Sequence, residues 1–255
     1  MLALVVIPLL SIVQVDLQAA TAALKSADPA ARTRAACDVR ELGDAAHEVI
    51  PQLVDLLGDA SPVDPAICHE RTWRWNRNWG TEQDTTSPGE QAASALVSIG
   101  SAAYEPLTRA LKGPVWVARG NAAWALGALG NHNAAPLLAV TLRDTEATVR
   151  RRGAWALGAL DASESVPALI DALKDTDAGV REQVAWALGA IGDRRAVEPL
   201  MNALTDQAPP VREQAAWALG ALGDGRAVPA LTKALKDSEA RVRRQAAWAI
   251  GAIGG

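Results

Sequence analysis

The chain has 255 residues, 49% apolar and 21% charged, which is ample material for a core and argues against intrinsic disorder. A net charge of −4 and a pI near 5.5 argue against a nucleic-acid surface as its main purpose. Nine Trp stand beside one Tyr and no Phe, so Trp is reserved for a particular position.

Residues 1–15 are apolar and uncharged. The stretch is shorter than the roughly 20 residues a membrane-spanning helix needs. It looks like the apolar region of a secretory signal but lacks a basic start and a clean cleavage site. Two readings stay open. The preferred one is an export or anchoring signal, which places the chain outside the cytoplasm or on a membrane. The other is an apolar helix covering the open end of the downstream fold. Membrane association is expected through this segment alone.

From residue 16 to 255 the chain repeats itself, and such a period overrides a domain count based on length. Trp124, Trp155, Trp186, Trp217 and Trp248 are each 31 residues apart, every one inside an Ala-Trp-Ala-Leu-Gly or Ala-Trp-Ala-Ile-Gly phrase. Each repeat is predicted to be a helix pair. Helix A opens with Pro near its first position, where a missing N–H costs nothing, and ends at Leu-Lys-Asp. An Asp-rich turn comes next, such as Asp175-Thr176-Asp177. Helix B then runs from about Gly179 to Ile191 and stops at Gly192, a residue suited to the left-handed position past a helix end.

The same frame fits upstream. Asp16 to Asp44 is a first repeat with Cys37 in the Trp position. Pro51 to Ser94 spans 43 residues where Pro167 to Trp186 spans 19, so the second repeat carries an insertion, residues 59–89. That makes seven repeats. Trp73, Arg74, Trp75 and Trp79 sit within the insertion, and this Trp/Arg alternation argues against disorder. They are either a loop packed on its own repeat or an arm folded over the edge of a groove. Cys68 lies in the insertion and Cys37 in the preceding helix B. A disulfide between them would tie the loop down in an oxidising compartment, and in a reducing one they would be free thiols. Cys-x-x-Cys is absent and His47, His69 and His132 are scattered, so no metal site is expected.

On helix B, Val180, Val184, Ala187, Leu188 and Ile191 share one face and are predicted core. Glu182, Gln183, Trp186 and Ala190 lie together on another, expected to line the concave surface of the stack. The recurring Trp reads two ways at once. Each indole can lie between neighbouring B helices, on the small Ala and Gly of the next repeat, and still leave an edge available for a ligand. The flanking residues vary while the core frame does not. The candidate binding residues on this face are therefore Trp124, Arg151, Arg152, Trp155, Glu182, Trp186, Glu213, Trp217, Arg244 and Trp248. Arg151 and Arg152 rank first, as an anion or carboxylate contact. A second ladder, Arg119, Arg150, Arg181, Arg212 and Arg243 with Asp144, Asp175, Asp206 and Asp237, is expected to staple repeats together.

These phrases (Ala-Val-x-Pro-Leu, Ala-Leu-Lys-Asp, Val-Arg, Ala-Ala-Trp-Ala-Leu-Gly-Ala-Ile-Gly-Asp) resemble the HEAT-like repeat first associated with phycobilin lyases, over essentially all of 16–255. The resemblance implies an all-α fold, a right-handed α-solenoid of about seven helix pairs. It says little about function, because this repeat serves lyases, adaptors and sensors alike. Deoxyhypusine hydroxylases of this repeat type place His-Glu pairs at the start of helix B to hold two irons. Here His47-Glu48 and His69-Glu70 fall elsewhere. HEAT-like DNA glycosylases need a basic concave face, which the acidic balance and Glu182 and Glu213 oppose. No Ser/His/Asp phrase or phosphate-binding Gly loop is present.

The expectation is a non-enzymatic scaffold for a protein or peptide partner, with no catalytic residue, cofactor, metal or nucleic acid. The alternative is a phycobilin lyase-like or tetrapyrrole-handling subunit. The final Ala252-Ile253-Gly254-Gly255 brings no polar capping repeat, so the last helix B is expected to meet a partner, a second copy or further sequence.

Overall fold

The computed structural model describes residues 16–68 and 85–254. Among these residues it is a stack of seven helix pairs. In chain order the A and B helices are α1 (Leu17–Ala23) with α2 (Pro29–Leu42), α3 (Ile50–Leu56) with α4 (Pro88–Ile99), and α5 (Tyr104–Ala110) with α6 (Trp116–Ala128). Then come α7 (Ala135–Thr141) with α8 (Ala147–Ala159), α9 (Val166–Ala172) with α10 (Ala178–Ile191), α11 (Val197–Ala203) with α12 (Pro209–Leu222), and α13 (Val228–Ala234) with α14 (Ala240–Gly254). This is an all-α solenoid. No described helix is long and apolar enough to cross a membrane.

Local chemistry sets each boundary. A short 3-10 turn leads into most A helices, and in the fifth-to-sixth connection Asp193 accepts from the Arg195 amide at 2.8 Å to hold it. Proline occupies the first turn of α3, α7, α9 and α13, where no intrahelical partner for its nitrogen is missed. Asp177 caps α10 by accepting from the Val180 amide at 2.9 Å. Helix α10 starts at Ala178, one residue ahead of the expected start, because that cap sits at 177.

Helices α10 and α12 end on Gly192 and Gly223, both left-handed at φ 75° and 63°. The equivalent residue after α8 is Asp161, held at φ 51°. An aspartate there carries a backbone cost that glycine does not. Asp161→Gly is therefore expected to raise stability by about 0.5–1 kcal/mol, read as an upward shift of the thermal midpoint. A lower midpoint would show that the Asp161 side chain is worth more than the strain it carries.

The core is a column of leucines between the layers. Leu96, Leu126, Leu157, Leu188 and Leu219 from the B helices and Leu53, Leu107, Leu138, Leu169, Leu200 and Leu231 from the A helices are all fully buried. Each contributes about 1.5–3 kcal/mol relative to exposure. Alanine fills most remaining B-helix core positions, so the B helices approach closely and pack along their length, whereas neighbouring A helices touch far less. The B layer therefore takes the shorter, inner arc of the stack.

The insertion in the second repeat is closed at its base. Val63 and Thr86 exchange both backbone hydrogen bonds, at 2.8 and 2.9 Å. A disulfide joins Cys37 of α2 to Cys68. Both sulfurs are buried, so the start of the insertion is pinned against α2. Trp73, Arg74, Trp75 and Trp79 lie outside the described residues, as do residues 1–15.

Candidate functional site on the inner face

Four residues of each B helix, at the Trp and at seven and four before it and four after it, share one stripe by helical spacing. In α10 they are Gly179, Glu182, Trp186 and Ala190, none of them fully buried. Stacking the helices turns the stripe into rows that cross the repeats. One row is alanine: Ala128, Ala159, Ala190, Ala221 and Ala252, all exposed. The next is the Trp row, and the third holds Gly120, Arg151, Glu182, Glu213 and Arg244. The inner face is thus a small-residue row, an aromatic row and a charged row, side by side.

The Trp row is held by glycine. The Cζ3 edges of Trp186, Trp217 and Trp248 lie where a Cβ at Gly158, Gly189 and Gly220 would come within 2.7, 2.8 and 2.6 Å. Trp155 lies over Gly127 in the same way. Each of these four indoles therefore packs on the Gly of the preceding repeat, not the following one as expected. Trp124, Trp155, Trp186 and Trp217 stay half-buried, and Trp248 on the last B helix is 48% exposed. Trp124 and Trp155 also stack on each other, with centroids 6.1 Å apart and planes 19° from parallel.

Of the two arginines ranked first, only Arg151 stays on the face. Its side chain runs toward Gly179 of the next B helix, and its Nε is buried with no hydrogen-bond partner. Arg152 turns inward instead. It donates to Asn121 Oδ1 and, at 3.1 Å, to Glu90 Oε1, while Asn121 Nδ2 donates to the Leu57 carbonyl at 2.8 Å. Glu90, Asn121 and Arg152 are 31 residues apart, so this is a buried polar thread through three successive B helices. Burial pushes the Arg152 guanidinium down, against the Glu90 carboxylate that raises it. Sequence spacing missed the thread because residues one apart on a helix point about 100° apart, and only packing decides which of the two is enclosed.

The remaining charges on the face are Glu182, Glu213, Arg244 and, one turn earlier on α14, Arg241. Burial and the Glu213 carboxylate push Glu182 up, while Arg151 and Arg241 pull it down. Arg241 meets Glu213 at 3.4 Å with both side chains well exposed. No group of three metal-ligating side chains occurs among the described residues. Helical spacing placed Ala190 on this face, and the 31-residue period extends the row to the other four alanines.

The arginine ladder lies at the turn end of the B helices. Each Arg bonds forward to the next repeat: Arg119 to Asp144, Arg150 to Asp175, Arg181 to Asp206 and Arg212 to Asp237, with Nε–Oδ2 distances of 2.6–2.7 Å. Arg32 pairs with Asp59 likewise at 2.6 Å. The ladder joins neighbouring repeats.

Known proteins share this repeat. The model for HEAT repeats matches residues 134–214 and 197–255, and that for the PBS lyase HEAT-like repeat matches 118–144. No curated relative matches. Among solved structures the chain is similar to a mutant of Kap121p, with TM-score 0.73 and 15% identity over 93% of this chain and 29% of that one. It is similar to the Kap95:Nup1 complex, with TM-score 0.62 and 14% identity over 92% and 36%. A designed armadillo repeat protein in complex with the peptide (KR)4 gives 0.52 and 19% over 80% and 99%. The complex of CpcE and CpcF of phycocyanin lyase from Nostoc gives 0.50 and 23% over 94% of both chains. At these identities the likeness is one of fold.

Proposed function

We propose that this chain, a HEAT-repeat protein, is a non-enzymatic scaffold that holds a segment of a protein or peptide partner along the inner face of its B helices. The Trp row carries this reading. Four of its five indoles are held by the glycines of the preceding repeats, so little side-chain freedom remains to be lost on binding. Each offers an aromatic edge beside an exposed alanine, a rigid apolar anchor of the kind that dominates interface energetics. Solenoids of similar fold occur in complexes with Nup1 and with the peptide (KR)4, which supports a protein or peptide partner here.

The test replaces Trp155 and Trp186 together by Ala and measures partner capture from source lysate, with far-UV circular dichroism as the control for folding. Capture is expected to fall at least roughly tenfold, as for loss of a buried aromatic anchor, while the helical signal remains. Unchanged capture removes the Trp row from the function. The match of 118–144 to the PBS lyase repeat keeps a second reading in view, a tetrapyrrole-handling subunit. A phycobilin mixed with the purified chain is expected to keep its absorbance spectrum, and a shifted spectrum would favour that second reading.

A further inference from the structure

The charged row gives the inner face a sign pattern along the stack. From α8 to α14 it reads Arg151, Glu182, Glu213 and Arg244, which is plus, minus, minus, plus. The two acids in the middle are under-compensated by the protein itself. Glu182 is half-buried beside Glu213, and burial and that carboxylate both disfavour its charge. The cation that touches Glu213, Arg241, does so at 3.4 Å between exposed side chains, a screened pair that a ligand cation displaces. At the flank, Arg151 has a guanidinium on the face and a buried Nε bonded to nothing in the protein. Beside the two acids stand Trp186 and Trp217, half-buried with their Cζ3 edges on glycine, in reach of a cation resting between ring and carboxylate.

The spacing of the row constrains the backbone of what lies on it. Packed helices are about 8–10 Å apart. A polyproline II strand rises about 3.1 Å per residue and turns once in three residues, so every third side chain points the same way about 9 Å further on. A β-strand alternates with period two and cannot present residues three apart to one surface. An α-helix returns a side chain to one face every turn of about 5.4 Å and so meets the row only on alternate turns, about seven residues apart. Polyproline II segments are also the peptides that dock onto aromatic-lined grooves.

Resting on the scaffold reading above, we propose that the occupant is an extended, polyproline II-like peptide with two cationic side chains three residues apart, and an acidic side chain three residues beyond each. The pattern is its own mirror, so charge sets the register of the peptide but not its direction. Arginine suits the two central positions better than lysine, because its planar guanidinium stacks on an indole while donating to a carboxylate.

The test uses the full chain and two labelled decapeptides, Glu-Pro-Pro-Arg-Pro-Pro-Arg-Pro-Pro-Glu and its charge reversal, Arg-Pro-Pro-Glu-Pro-Pro-Glu-Pro-Pro-Arg, followed by fluorescence anisotropy at low salt. The first is expected to bind at least roughly tenfold more tightly, with the preference shrinking as salt is added. Glu182→Arg with Glu213→Arg, which makes all four positions of the row cationic, is expected to abolish the preference. The milder pair Glu182→Gln with Glu213→Gln, which leaves only Arg151 and Arg244 to read the acidic ends, is expected to shrink the preference without abolishing it. Equal binding of the two peptides, binding of neither, or a preference untouched by these variants would overturn the inference. Partner capture that is lost on replacing Trp155 and Trp186, together with any of those three results, leaves the scaffold reading standing and this inference alone refuted.

Discussion

Gly189→Ala is expected to destabilise the solenoid by about 2–4 kcal/mol, although alanine is the better helix former. A Cβ at Gly189 would stand 2.7 Å from both the Cα and Cβ of Ala218 and 2.8 Å from Trp217 Cζ3. Two of those three atoms belong to the next helix's backbone and first side-chain carbon, which cannot swing aside. Relief requires α10 and α12 to separate, which also lifts Trp217 off its seat. Propensity favours alanine by about 1 kcal/mol, so the clash decides the sign.

The contrast is Gly251, which holds the same place in the last repeat and has nothing within 4 Å of where a Cβ would stand. Gly251→Ala is expected to be neutral or stabilising by up to ~1 kcal/mol. Urea unfolding followed by circular dichroism measures both. Because a repeat array is stabilised largely through nearest-neighbour interfaces, Gly189→Ala is also expected to broaden the transition by uncoupling the repeats on either side. If both variants shift the midpoint in the same direction, the close B–B approach is not what requires glycine.

The period made the architecture legible, because a 31-residue repeat with Pro at one end and Gly at the other marks helix starts and stops directly. Cys37 could be placed in the Trp position of the first repeat for the same reason, and the helix pair α1 and α2 lies where that frame puts it. The face was less legible. Helical spacing told Ala187, in the core, from Ala190, on the face, but it also put Gln183 on the face, where packing has instead buried it. Arg151 and Arg152 are the sharper case. Both were expected on the groove, and Arg152 is instead enclosed because Glu90 and Asn121 on the two preceding B helices supply partners for it. That pairing spans 62 residues and interrupts a column which in later repeats holds Gln183, Gln214 and Gln245, so a local window cannot find it. The direction of the Trp packing was hidden for a related reason, since Ala-Leu-Gly recurs on both sides of every indole.

Acid is expected to unfold this protein through its arginine ladder, and Arg181→Ala to cost about 2–3 kcal/mol at neutral pH. Arg181 donates through Nε and one terminal nitrogen to both oxygens of Asp206, at 2.7 and 2.8 Å, and through the other to the Asp175 and Thr176 carbonyls. The two side chains are only 15% and 14% exposed, so removing the guanidinium leaves a largely enclosed carboxylate with its charge unmet. At Asp144, Asp206 and Asp237 the hydrogen bonds from the arginine hold the carboxyl below its ordinary value of 3.8. At Asp59 and Asp175 burial pushes the carboxyl up, and hydrogen bonds from Ser61 with Arg32, and from Arg150, outweigh it. A carboxyl whose pKa is depressed in the folded state contributes stability that is fully present above the unfolded value and is lost as pH falls through the folded one. The window therefore opens near pH 4 and runs downward, and five aspartates enter it together. The thermal midpoint is expected to fall steeply below about pH 4 in the wild-type chain. In Asp206→Asn it should start lower at neutral pH and fall less steeply, because one proton-linked group has been removed. A midpoint that stays flat from about pH 6 to pH 2 in the wild-type chain would mean that the ladder only decorates the stack, and that the leucine column alone holds the repeats in register.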